Sequence, residues 1–365
     1  MFPAVCEFGA LCEARAASTR ALFVDAREAE GRWRRELVPS HITGLPRDTY
    51  VYRAPRKTDP LTFSWHGDAK TFCPPLWWDL AIGSGPCGFG CRGCFLMLTF
   101  RAMRDPFRPL IYDNVEDIWR SVVRWLKSPK RKPKHTLGLG IDRSDSLLYE
   151  GLTGHARELV PRFADPAANP NGCQLILLTK STNVRFLESL PTRNIVVTFS
   201  VNPESVADLW EGKYPDTMER ISPPIVERLR ACLEAQEMGF ETRLRLDPIL
   251  TPPGWREMYR EHIAEIAGFG LRPSRITLGT YREKSPQLVT WREKWGLPAM
   301  EWEPEHLQRE GTHRHVPDES RIEIYSAVRD MIRAAMPDVP VSLCKETHAV
   351  RRATGLTGAE CNCLA

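Results

Sequence analysis

Ile82-Gly-Ser-Gly-Pro-Cys87-Gly-Phe-Gly-Cys91-Arg-Gly-Cys94 sets three cysteines at C-x3-C-x2-C spacing in a glycine-rich segment, directly after an apolar run. Glycines let a loop wrap closely around a bulky inorganic object. Three thiolates can hold three irons of a 4Fe-4S cube and leave the fourth iron open, whereas a structural zinc site takes four protein ligands. The alternative is therefore a zinc knuckle that borrows a fourth ligand such as Cys73. Strand, glycine loop and spacing together favour the cube.

The rest of the chain suits such a centre. It has 365 residues, 42% hydrophobic and 26% charged, a globular balance that excludes a disordered, collagen-like or coiled-coil chain. A chain this long removes roughly 75% of its unfolded surface from water, enough for one large α/β domain with appendages. The eleven cysteines are an odd number, and Met1–Ala10 has no basic segment followed by an apolar one, so a disulfide framework is not expected. A cytoplasmic, reducing setting is the expectation. There, cysteine clusters read as metal ligands and scattered ones such as Cys173 and Cys232 as small buried hydrophobes. No apolar run approaches the roughly 18 residues of a membrane span, so no membrane partner is expected.

From Trp77 onward, short apolar runs alternate with amphipathic segments, which is the pattern of repeated β-α units. Strands are predicted at Trp77–Ile82, Thr136–Gly140, Gln174–Thr179, Asn194–Ser200, Thr242–Asp247 and Arg275–Leu278. Helices are predicted at Val115–Leu126, at Ile225–Met238 before Gly239, and at Arg321–Met336. Six strands with intervening helices imply a partial (β/α)6 barrel, with ligands at the C-terminal strand ends. The domain reading is an irregular N-terminal extension over 1–72, the barrel over 73–282, and a helical region with a cysteine tail over 283–365.

The cysteine loop resembles that of the radical S-adenosylmethionine superfamily. Beyond it the chain looks like the spore photoproduct lyase family, on Asp142-Arg-Ser-Asp145, Leu177-Leu-Thr-Lys180-Ser, Thr198-Phe-Ser200-Val-Asn202, Leu246-Asp247-Pro248-Ile249, Met218-Glu-Arg220-Ile and Gly279-Thr-Tyr-Arg282. The resemblance implies that Cys87, Cys91 and Cys94 hold a 4Fe-4S cluster whose open iron is chelated by S-adenosylmethionine. An electron from the cluster then cleaves the sulfonium, and a 5′-deoxyadenosyl radical abstracts a substrate hydrogen. It also implies that Ser144, Lys180, Ser200 and Asn202 contact S-adenosylmethionine, that the substrate is a thymine-derived base in DNA, and that an electron donor such as flavodoxin or ferredoxin is a partner.

Two departures redirect the expected reaction. Asp142 stands where the lyase has the cysteine that returns a hydrogen atom, and a carboxylate cannot do that. Arg92-Gly93 and Phe95 flank Cys94 where the repair enzymes have tyrosines. Without a hydrogen donor, a substrate radical can rearrange and recover its hydrogen from 5′-deoxyadenosine. The expectation is thus isomerisation of a 5-substituted, hypermodified thymidine, similar to the radical isomerases of bacteriophage thymidine hypermodification, with Asp142 binding an amino group on the substituent or capping a helix. A thymine dimer lyase, and a radical enzyme acting on a peptide or small metabolite, are the alternatives.

Cys344, Cys361 and Cys363 form a second cysteine group near the end of the chain. They read as ligands of a second iron–sulfur cluster, with His313 or His315 as a fourth, as a thiol relay supplying the missing hydrogen atom, or as a reduced tail. The basic runs Arg32–Arg35, Arg53–Lys57 and Lys127–Lys134, with Trp33, Tyr52 and Trp125 beside them, offer cations for phosphates and rings for a flipped base. A net charge of only +4 leaves the DNA expectation resting on the resemblance.

Overall fold

A computed structural model describes residues 31–63, 77–101, 107–131, 135–214, 217, 219–283, 287–296, 302, 304–310, 313–357 and 361–364. Cys6, Cys12, Cys73, Met218, Lys132 and Lys134 lie outside them.

Alternate residues of a strand point to opposite faces of a sheet, and here the alternation separates apolar from polar. The strands are β4 (Trp77–Leu80), β7 (Thr136–Leu139), β8 (Gln174–Thr179), β9 (Ile195–Ser200), β10 (Glu241–Ile249), β11 (Arg275–Thr280) and β15 (Val341–Leu343). Leu80, Leu137, Leu139, Leu175, Leu177, Val197, Phe199, Leu244, Leu246, Ile276, Leu278 and Leu343 join one buried core. The opposite face carries Asp79, Thr136, Thr198, Ser200, Arg243, Arg245, Asp247, Arg275, Thr277 and Ser342. All seven strands run parallel in the order β15-β11-β10-β9-β8-β7-β4. This is an open α/β barrel with a polar lumen.

Helices cover the apolar face. Val115–Leu126 buries Ile118, Val122, Trp125 and Leu126, and Ile225–Glu237 buries Ile225, Leu229, Cys232 and Ala235. The second helix stops at Gly239, whose φ of +92° suits a residue without a Cβ. Cys173 and Cys232 are fully buried, as expected of small hydrophobes. No described helix is long and apolar enough to cross a membrane.

The six predicted strands are present with ends shifted by up to two residues. The strand β15 was missed because three residues give too short a run to read. The described part of the N-terminal extension, residues 31–63, is not irregular. It contributes β1 (Arg34–Val38) and β2 (Thr49–Ala54), which form a small sheet with β6 (Leu110–Tyr112) and β5 (Gly83–Ser84) in the order β1-β2-β6-β5, and β3 (Leu61–Phe63), which pairs antiparallel with β4. Its Arg and Pro content masked these strands, whose buried residues are few. Val38, Leu45 and Val51 pack there with Phe89, Cys91, Leu148 and Tyr149, so this unit forms the wall behind the cysteine loop.

The long helix Asp318–Ala335 is fastened to the barrel by a buried polar network. Glu346 is fully buried, accepting from Arg321 Nη1 at 2.7 Å and Tyr325 Oη at 2.7 Å, and the same Tyr325 hydroxyl accepts from Thr280 N at 2.9 Å. Glu346→Ala strands a nearly buried guanidinium, leaving it only half-exposed Asp318. The expected loss is roughly 3 kcal/mol, read as a lowered urea midpoint.

Candidate functional site

The cysteine loop leaves β5 and winds through successive turns, with Gly90 N bonded to Cys87 O at 3.1 Å and Cys94 N to Cys91 O at 3.0 Å. Gly93 has to be glycine. A Cβ there would lie 2.1 Å from the Trp210 ring, which crosses Tyr281 edge-on with centroids 6.0 Å apart. Trp210 thereby braces the segment between the second and third cysteines.

Lys180, just beyond β8, projects towards this loop. Its Nζ lies 3.3 Å from Cys91 Sγ and 2.9 Å from Glu211 Oε1. Its backbone N–H donates to Asp145 Oδ2 at 2.8 Å. The other Asp145 oxygen accepts from Thr179 Oγ1 and from the N–H groups of Leu147 and Leu148 at 2.7 to 3.1 Å. Asp145 is thus a capping carboxylate of this turn. Glu211 also accepts from Arg228, Ser222 and Arg220. Arg228 is fully buried and its Nη1 also donates to Ser200 O at 3.0 Å. One carboxylate therefore ties together the ends of β8 and β9 and the helix Ile225–Glu237.

The charges follow from these contacts. Burial alone would raise the pKa of Glu211, but Lys180 and Arg228 hold it well below the carboxylate range. Burial opposes the charge of Lys180, and Cys91 and Glu211 overcome it, raising its pKa. Burial raises the pKa of Cys87, aided by Cys91, and that of Cys91, against the pull of Lys180. The loop thiolates are therefore costly until a cation compensates them, a charge that iron would supply.

Cys87, Cys91, Cys94, Asp142, Ser144, Lys180 and Ser200 open onto one cavity of about 280 Å³. Asn202 does not line it. Its Nδ2 donates to Pro248 O at 3.1 Å and its Oδ1 accepts from Tyr259 Oη at 3.5 Å, so it braces the wall between β9 and β10. Asp142 lines the cavity with a second carboxyl behind it. Asp79 is 1% exposed, and its Oδ1 accepts from Asp142 N at 3.4 Å. Burial, reinforced by the Asp142 charge, lifts Asp79 to about 7.

The second cysteine group meets the first in the same cavity. Cys344 follows β15, and its Sγ accepts from Arg245 Nη2 at 3.3 Å. Arg245 and Arg282 share Asp247, over which Gly279 leaves room that a Cβ would fill. Cys361 and Cys363 pack with Leu364 against Trp77, the first residue of β4. A hydrogen bond from Cys363 draws Cys361 down to about 6. Among the described residues, no three His, Cys, Asp or Glu side chains converge on a single metal ion. A cube asks for something different, because each thiolate binds its own iron. The loop thiols, with Lys180 facing Cys91 and hydroxyls at Ser144 and Ser200, fit a cluster bearing an amino-acid ligand. When bound, that pair would supply a one-electron cleavage generating a carbon radical.

His315 is not brought to this cavity. It sits in β14 (His313–His315), which pairs with β12 (Arg282–Glu283) and β13 (Gln308–Glu310). The aromatic residues beside the basic runs are core residues instead of stacking platforms. Trp33, Tyr52 and Trp125 are each at most 6% exposed, and Arg131 lies over the Trp125 ring. Glu211, Arg228 and Asp79 escaped the sequence reading. The available signals were Arg228 on the apolar stripe of its helix and Asp79 within an apolar run.

No family model matches the chain, and no curated protein sequence matches it. Solved structures do. A spore photoproduct lyase complexed with dinucleoside spore photoproduct is 19% identical, with a TM-score of 0.63 over 80% of this chain and 82% of that one. The chain has the spore photoproduct lyase fold. A double mutant of such a lyase, with bound AdoMet and dinucleoside spore photoproduct, is likewise 19% identical, with a TM-score of 0.62 over 79% of this chain and 80% of that one. A cysteine-to-serine mutant of the lyase is 20% identical, with a TM-score of 0.62 over 80% of this chain and 82% of that one.

Asp79 gives a measurable pH signature. Its folded pKa of about 7 lies above the ordinary 3.8, so the folded chain keeps a proton that the unfolded chain has released between those values. This stabilisation is complete below about pH 4 and lost as pH rises through about 7. Asp79→Asn should flatten that dependence, worth up to about 4 kcal/mol between its limits. Urea midpoints at about pH 5 and pH 8 measure it, and an unchanged slope would refute the assignment.

Proposed function

We propose that this chain is a radical S-adenosylmethionine enzyme acting on a thymine-derived base in DNA, and that it isomerises a 5-substituted thymidine. Cys87, Cys91 and Cys94 hold the 4Fe-4S cluster. Lys180 faces the carboxylate of S-adenosylmethionine, and Ser144 and Ser200 serve its polar groups. The observation that carries the reading is the convergence of these residues with Asp142 on one cavity. Asp142 gives that cavity a carboxylate suited to an ammonium on the substituent. The fold likeness, and the dinucleoside carried by one of the neighbours, support a base as substrate. Arg56, Lys57, Arg120 and Arg124 border a surface groove that suits phosphates. The residues shape the reaction by binding and exclusion. Trp210 closes the loop side, while Arg245, Asp247 and Arg282 fix the opposite wall. A flavodoxin- or ferredoxin-like donor supplies the electron in a reducing, cytoplasmic compartment.

A thymine dimer lyase is the second reading, favoured by the thiols of Cys361 and Cys363 in the same cavity. Reconstituted protein, given S-adenosylmethionine, dithionite and a duplex carrying a 5-aminoalkyl thymidine, should yield a nucleoside of unchanged mass and altered retention. Thymine release from dinucleoside spore photoproduct would select the lyase instead. Cleavage of S-adenosylmethionine with both probes untouched would move the substrate to a peptide or small metabolite.

A further inference from the structure

Tyr149 belongs to the wall behind the cysteine loop and directly precedes the short helix Glu150–Thr153. It is 4% exposed and packs in one unit with Val38, Leu45, Phe89 and Cys91, against which Cys87 and Cys94 also pack. Its phenol oxygen is buried and has no hydrogen-bond partner among the described residues. The oxygen also lies close over the loop, since a Cβ on Gly88, the residue after Cys87, would come within 2.8 Å of it. Filling an apolar pocket needs no hydroxyl, and Phe89 and Leu148 fill the same unit without one. A buried hydroxyl without an acceptor is unfavourable, and burial raises its pKa, so it keeps the proton it could donate. Among the side chains of that unit, the only acceptors are the sulfurs of Cys87, Cys91 and Cys94. A thiol accepts weakly, whereas an ionised sulfur accepts a stronger, charge-assisted bond.

We propose that the Tyr149 hydroxyl donates a hydrogen bond to the sulfur shell of the cluster held by Cys87, Cys91 and Cys94, and thereby raises that cluster's reduction potential. The proposal rests on the radical reading and goes beyond it in naming what sets the potential. Reduction adds one electron to the cluster and takes one from the flavodoxin- or ferredoxin-like donor. No bond to the Tyr149 proton breaks. Hydrogen bonds to sulfur are among the factors that set a cluster's potential, because they stabilise the more negative, reduced sulfurs more than the oxidised ones. Lys180 Nζ, 3.3 Å from Cys91 Sγ, serves the cavity side. Tyr149 serves the wall, where the neighbouring side chains are almost all apolar and a single hydroxyl therefore weighs more.

The test is a redox titration of the reconstituted full chain, followed by electron paramagnetic resonance and needing no substrate. Tyr149→Phe keeps the ring and removes the donor. At a fixed potential its ratio of reduced to oxidised cluster should fall about tenfold, a midpoint lowered by about 59 mV for one electron. Iron per chain should equal that of the parent. Tyr259→Phe removes another fully buried hydroxyl, one bonded to Leu250 N away from the loop, and should leave the midpoint in place. An unshifted midpoint in Tyr149→Phe would overturn the proposal, and so would an equal shift in Tyr259→Phe. A Tyr149→Phe chain that takes up less iron than the parent would overturn it too, because the hydroxyl would then serve loop assembly. A parent that holds no iron–sulfur cluster would instead overturn the radical reading, and the proposal with it.

Discussion

The ammonium of Lys180, 3.3 Å from Cys91 Sγ and 2.9 Å from Glu211, is the contact on which the site depends. Burying a lone ammonium is unfavourable, and here the Glu211 carboxylate compensates it, with the Cys91 sulfur alongside. Glu211 is in turn held by Arg228, which reaches the backbone of Ser200. The position of the cysteine loop is thereby tied to two strand ends and one covering helix. Trp210, directly before Glu211 in the chain, closes on Gly93. A disturbance at any of these residues reaches the cysteines.

The same logic governs the lumen. Strand alternation places apolar side chains outside, under the helices, and charged or hydroxylic ones inside. An empty polar lumen would leave buried guanidinium groups without acceptors. Carbonyls of the tail satisfy Arg243 and Arg275, and Asp247 satisfies Arg245 and Arg282. The plug that meets this requirement also delivers two cysteines to the floor of the cavity.

Much of this was legible in the residues. The C-x3-C-x2-C loop, the parallel strands and the helix over Val115–Leu126 follow from spacing and periodicity, which are local properties. The strand-end residues Ser144, Lys180 and Ser200 reach one cavity because a parallel sheet aligns its C-terminal ends. Asn202, two residues beyond Ser200, turns instead into the wall, a choice made by Pro248 and Tyr259 from a neighbouring strand and helix. Glu211 and Asp79 acquire meaning only through partners far along the chain. Trp33, Tyr52 and Trp125 looked like stacking platforms because they neighbour cations. Their burial is a tertiary outcome that adjacency in sequence does not encode.

The most direct test of the central claim is metal content measured alongside cofactor cleavage. After anaerobic reconstitution with iron and sulfide, the chain should carry about four irons and form 5′-deoxyadenosine from S-adenosylmethionine under dithionite, and Cys91→Ala should lose both. About eight irons would indicate a second cluster on the tail cysteines. Bound zinc with no cleavage, or cleavage that survives Cys91→Ala, would contradict the radical site itself.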